Sequence, residues 1–185
     1  MQKNSRFSTR TIALIGLMSA FCFVSNYISI PIGDITRIHL GNGVCALSGL
    51  LLGPLPGGFC GGIGAFLFDL TNPKYAAEAP ITFIMKFVIG LVAGYFAKKG
   101  EKIGKPAVFN FLGVTLGAFS YTALYLLKSF IKEAYLLKNP METVMIKLAT
   151  KAGASSFNAV TAIIVALILF PVFKAAMKRA RVERN

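Results

Sequence analysis

The chain has 185 residues, 55% hydrophobic and 15% charged, with mean hydropathy +0.66 and net charge +13 from twenty Lys+Arg against seven Asp+Glu. Soluble domains are about 45–50% apolar and about 25% charged, so the composition excludes a disordered chain and argues against a water-soluble globule. In a soluble protein such a charge points to nucleic acid; in a membrane protein it reports topology, and no nucleic-acid partner is expected.

A basic head with Lys3, Arg6 and Arg10 precedes an apolar run over residues 11–30. The run nears the roughly 20 residues that cross a bilayer, exceeds the about 7–15 of a signal core, and lacks an A-x-A cleavage site. It is read as a retained transmembrane helix. Pro31 and Gly33 then break the helix in a polar stretch ending at His39. Residues 40–52 are apolar but short for a span, 53–58 read as a tight turn, and 59–70 continue as a second short apolar segment. Together they form a helical hairpin, either two tilted spans or a re-entrant pair, which returns the chain to the side it left. Cys22, Cys45 and Cys60 all lie in apolar stretches and read as small core hydrophobes.

Residues 71–79 make a polar loop, Pro80 suits a first helical turn, and 81–97 make a fourth span. A basic loop over 98–105 leads to a fifth span over 107–127. A mixed, partly amphipathic stretch over 128–147 leads to a sixth over 148–173 and a basic tail. The expected fold is an all-α integral membrane protein, a six-helix transmembrane bundle in one domain covering 1–185. With the N-terminus inside, twelve Lys/Arg fall on the cytoplasmic side and seven outside, and Lys86 sits within the fourth span. Both termini are therefore placed in the cytoplasm. Most of the outer cations sit in 128–151.

Small residues four apart mark faces where helices approach closely in lipid. Gly53, Gly57, Gly61 and Ala65 form one such register, and Gly58/Gly62, Gly90/Gly94, Gly113/Gly117 and Ala162/Ala166 repeat it. These read as internal packing. A nucleotide loop at 57–64 is rejected, since no Gly-Lys-Ser/Thr follows and no strand precedes it. In the first helix, Ala13, Gly16 and Ala20 form a stripe that suits either internal packing or docking of another membrane protein.

Ionisable groups at membrane depth are costly and mark functional candidates. Asp69 lies near the outer end of the third segment and Lys86 about two turns into the fourth from the same side. They fit either an ion pair or a ligand-facing role. His39, the only histidine, sits at a loop-to-helix junction, and Asn158 lies inside the sixth span. Tyr121 and Tyr125, four apart, share one face of the fifth span and suit core packing or a stacking wall for a flat ring. Catalysis is poorly supported: there is no HExxH, no paired-acid metal site and no nucleophile elbow. Polar groups gathered at the outer segment ends describe a shallow binding pocket.

These features resemble the substrate-binding S components of energy-coupling factor (ECF) vitamin transporters over nearly the whole chain. The resemblance rests on length, six segments, the Ala13/Gly16/Ala20 stripe and several strings. These are Ile38-His-Leu-Gly-Asn42, Leu51-Leu-Gly-Pro-Leu-Pro-Gly-Gly58 with Gly61-Gly-Ile-Gly64, Asp69-Leu70, Ala79-Pro-Ile-Thr-Phe-Ile-Met-Lys86 and Asn158-Ala159. The subgroup it resembles includes riboflavin, hydroxymethylpyrimidine and pyridoxine binders. The usual first-helix motif is Ala-x-x-x-Ala, and Gly16 here replaces its first alanine.

The resemblance implies a multi-pass protein of the bacterial cell membrane, without enzyme activity or cofactor, that captures a water-soluble vitamin or precursor from outside. It implies docking through Ala13, Gly16 and Ala20 on a transmembrane coupling subunit, with two ATPase subunits driving import. By position the implied substrate contacts are His39, Asp69, Tyr75, Glu78, Thr82, Lys86, Tyr121, Tyr125, Lys151 and Asn158. A small heteroaromatic vitamin of the B6 or pyrimidine type is the expected ligand. The alternative is an autonomous membrane carrier or channel for a small organic solute.

Overall fold

The computed structural model describes residues 8–32, 36–73 and 75–180. Lys3, Arg6, Asp34, Lys74, Arg181, Glu183 and Arg184, which enter the charge balance, lie outside the described residues. Six helices dominate: α1 (Thr9–Ser25), α2 (Gly41–Leu52), α3 (Pro54–Leu70), α4 (Ala79–Lys102), α5 (Pro106–Ile131) and α6 (Met141–Arg179). The chain is a predominantly helical membrane bundle, as its composition predicts.

The first span is shorter than expected. Ser8 caps α1 by accepting from the Thr11 N–H, and the helix stops at Ser25 rather than near Ile30. The reason is local: the Ser25 hydroxyl (2.8 Å) and the Asn26 amide (2.6 Å) both donate to the Cys22 carbonyl, taking over the backbone's role at the helix end. Beyond it lies an unexpected antiparallel hairpin of β1 (Ser29–Ile32) and β2 (Thr36–His39), with Ser29 opposite His39 and Ile32 opposite Thr36.

The tight turn expected over 53–58 contracts to Gly53 alone, whose φ of +87° suits glycine. Pro54 and Pro56 then sit in the first turn of α3, where a missing N–H costs nothing because those donors have no intrahelical partner. The basic loop expected over 98–105 contracts in the same way, because α4 runs on through Lys102. Helix α6 is the largest departure. Its 39 residues make it about 58 Å long, well beyond a hydrocarbon core of about 30 Å.

Helix α2 is the hub and packs against all five other helices. Residues Gly41 to Leu50 are all buried. At 12 residues, about 18 Å, α2 is too short to cross a bilayer, but ringed by protein it faces little lipid. Close approach comes from glycine: a Cβ on Gly57 would lie 2.3 Å from the Cα of Gly49, and one on Gly90 2.3 Å from the Gly57 carbonyl oxygen. Gly113 and Gly117 of α5 fit against the backbone of α4 at Ala93 and Ile89 in the same way. Cys22, Cys45 and Cys60 are fully buried free thiols in the main core cluster. Outside, Phe157, Val160, Ile164, Ile168 and Val172 form an exposed apolar stripe down α6 that suits lipid. Among the described residues, three helical stretches, Ala76–Lys102, Pro106–Leu136 and Met141–Arg179, are long and apolar enough to cross a membrane.

Candidate functional site

A cavity of about 300 Å³ opens where the β-hairpin meets α3, α4, α5 and α6. All ten residues singled out in the sequence line it. His39 comes from the end of β2 and Asp69 from the last turn of α3. Tyr75 and Glu78 come from the short connection that follows, and Thr82 and Lys86 from successive turns of α4. Tyr121 and Tyr125 come from α5, Lys151 and Asn158 from α6.

Tyr121 and Tyr125 present parallel rings, with centroids 6.0 Å apart and planes within 4°. The Lys86 ammonium lies 5.0 Å from the Tyr121 ring and Lys128 lies 5.5 Å from the Tyr125 ring. Lys86 is 2% exposed and donates to the Asn42 side-chain oxygen. The ion pair with Asp69 allowed for in the sequence does not form. Asp69 instead meets Arg37 at 3.4 Å. The Arg37 guanidinium is held between the Phe68 ring at 4.4 Å and the Tyr75 ring at 4.7 Å, a cation–π sandwich that fastens β2 to the end of α3.

Asn158 spends its amide on the hairpin. Its oxygen accepts the His39 N–H at 2.9 Å and its NH₂ donates to the Arg37 carbonyl at 3.0 Å. Tyr125 adds a bond to Thr36 at 3.2 Å, so α5 and α6 both hold the strand over the cavity. The His39 ring is buried and its Nδ1 has no partner. Burial first, then the Lys86 and Arg37 charges, hold its pKa well below the usual histidine value, so the ring is neutral at pH 7. A neutral imidazole, a buried ammonium and two flat rings can orient a polar heterocycle.

The sequence reading missed Arg37 and Ser129 as members of this site. Arg37 counted only as an external charge, because its placement depends on the hairpin. Ser129 continues the Tyr121, Tyr125 spacing by one more turn of four, and that periodicity was the available signal.

A family model described as the ECF-type riboflavin transporter, S component, matches residues 6–178. The chain belongs to this family. It is therefore a multi-pass integral membrane protein. A solved S component of a bacterial ECF transporter superposes with a TM-score of 0.60 at 18% identity, covering 91% of this chain and 98% of that one, which shows a shared fold. Among curated relatives, an "uncharacterized protein in gap 3′ region" of Pyrococcus woesei is 30% identical over 103 residues, 56% of this chain and 62% of its own length. A UPF0397 protein of Streptococcus thermophilus is 32% identical over 111 residues, 59% of this chain and 60% of its own length. The match thus spans about three-fifths of these relatives.

The small-residue stripe of α1 lies on the outside of this bundle. Ala13, Gly16 and Ala20 are all exposed, and a Cβ added to Gly16 would meet nothing within 4 Å.

Proposed function

We propose that this S component captures a small heteroaromatic B-type vitamin or precursor, of the B6 or pyrimidine type, from outside the membrane. It passes the ligand inward when docked through α1 on a transmembrane coupling subunit driven by two ATPase subunits. The observation that carries the ligand class is the parallel Tyr121–Tyr125 wall, with Lys86 over its inner ring, in a cavity of about 300 Å³. Stacking against tyrosine faces favours a flat ring, and the volume is at the small end of ligand pockets. Riboflavin, which the matching family model names, belongs to the same broad class of flat heterocycles and is among the first compounds to test.

Docking through α1 is supported by the exposure of Ala13, Gly16 and Ala20, since small side chains in lipid let a partner helix approach closely. The Asn158 and Tyr125 bonds to the hairpin keep the ligand's roof in register with its floor.

Proteoliposomes test the division of labour. The purified chain alone binds vitamin without accumulating it, and accumulation requires the coupling subunit, both ATPases and ATP. Sustained uptake by the chain alone would make it an autonomous carrier instead.

A further inference from the structure

The cavity carries more positive charge than its carboxylates can balance. Among the described residues its lining holds six cations, Arg37, Lys86, Lys128, Lys132, Lys147 and Lys151, against Asp69, Glu78 and Glu133. Arg37 is matched by Asp69. Four lysines converge in two pairs, Lys128 and Lys132 on Glu78, and Lys147 (2.7 Å) and Lys151 (3.3 Å) on Glu133. Two carboxylates leave this lysine group with a net charge of +2. Glu133 and Lys151 are largely buried, at 7% and 10% side-chain exposure, so solvent screens this excess incompletely.

A second observation points to the same place. Ser129 is 1% exposed and lines the cavity, and its hydroxyl has no hydrogen-bond partner among the described residues. A buried hydroxyl without a partner is unfavourable, and in a cavity lined by ammonium groups its hydrogen is a donor for an anion. The tyrosine wall supplies the direction. With Lys86 over Tyr121 and Lys128 over Tyr125, a ring lying along the wall has Lys86 at one end and Ser129 with the paired lysines at the other.

We propose that the Ser129 end of the cavity is an anion subsite, so that the ligand is a flat heterocycle bearing a phosphate or carboxylate. This rests on the ring-binding reading given above. Each ammonium has three donors, so a lysine bound to Glu78 or Glu133 keeps others for the ligand's oxygens. The two glutamates hold the four lysines apart and in place. A phosphate dianion matches the +2 more fully than a carboxylate does.

Calorimetry on the full chain in detergent, with matched compounds, tests this. The pairs are pyridoxine against pyridoxine 5′-phosphate, riboflavin against riboflavin 5′-phosphate, and nicotinamide against nicotinate. The charged member of a bound pair is expected to bind about tenfold tighter or more, with the advantage shrinking as salt rises. A gain confined to the phosphate pairs identifies an ester, and a gain in the nicotinate pair identifies a carboxylate. Ser129→Ala and the half-exposed Lys132→Gln should erode the advantage, while Lys138→Gln, outside the cavity, should keep it. Equal or tighter binding of the neutral members overturns the anion subsite and leaves the ring-binding reading standing. Binding of none of the six compounds removes both.

Discussion

Lys86 is the residue whose environment is hardest to explain by folding alone. It is buried in α4, has Asn42 as its hydrogen-bond partner and Tyr121 as its π partner, and forms no ion pair among the described residues. A buried ammonium without a carboxylate destabilises a membrane bundle, and such residues persist where they serve a ligand. Lys86→Met is therefore expected to keep or raise the melting temperature while weakening ligand binding by about tenfold or more. Parallel loss of stability and binding would show that Lys86 is a structural element. His39 gives a pH prediction. Its folded-state pKa lies below the unfolded value of about 6.5, so the unfolded chain takes up more protons as pH falls. The stability it contributes is complete above about pH 6.5 and is lost below it. Thermal unfolding at pH 7.5 and 5.5 should show a larger drop for wild type than for His39→Gln. At this scale the sequence was informative because polar groups at and within apolar segment ends are few, and the ten singled out line one cavity. Arg37 and Ser129 escaped notice because one needs the hairpin and the other resembles any helical serine.

Elements carry two opposite uses of small residues. Gly57 and Gly90 face backbone at distances no Cβ tolerates, whereas Gly16 faces open space. Gly90→Ala should destabilise the detergent-solubilised bundle by about 1–3 kcal/mol or more, read as a lower melting temperature. Gly16→Leu should leave melting and ligand binding unchanged and abolish co-purification with the coupling subunit. Retained co-purification would place the docking surface elsewhere. Asn158→Ala removes two bonds to β2, and a lower melting temperature with faster ligand release is expected, measured by thermal shift and dissociation kinetics. The six helices were legible because apolar length signals them strongly. Their ends were less so: Ser25 and Asn26 stop α1 through side-chain bonds, and Gly53 alone makes the α2–α3 turn. The β-hairpin was hidden because Pro31 and Gly33 read as breakers, although Ile30 and Ile32 alternate as in a strand.

For the whole molecule, the +13 charge divides between topology and chemistry. Lys98, Lys99, Lys102 and Lys105, with Lys174, Lys178 and Arg179, belong to the cytoplasmic side by the positive-inside count. The cations of the cavity belong to a different task, because they converge from β2, α4, α5 and α6 on one enclosed space. The bundle thus separates a glycine-welded core of α2, α3 and α4, an exposed small-residue stripe on α1, and a polar cavity roofed by the hairpin. Native mass spectrometry of the detergent-purified chain tests ligand capture most directly. One small molecule per chain is expected to be retained, displaced by an added B-type heteroaromatic vitamin and lost in Tyr121→Ala. A chain with no retained molecule that also fails to bind any such vitamin at micromolar concentration would contradict ligand capture.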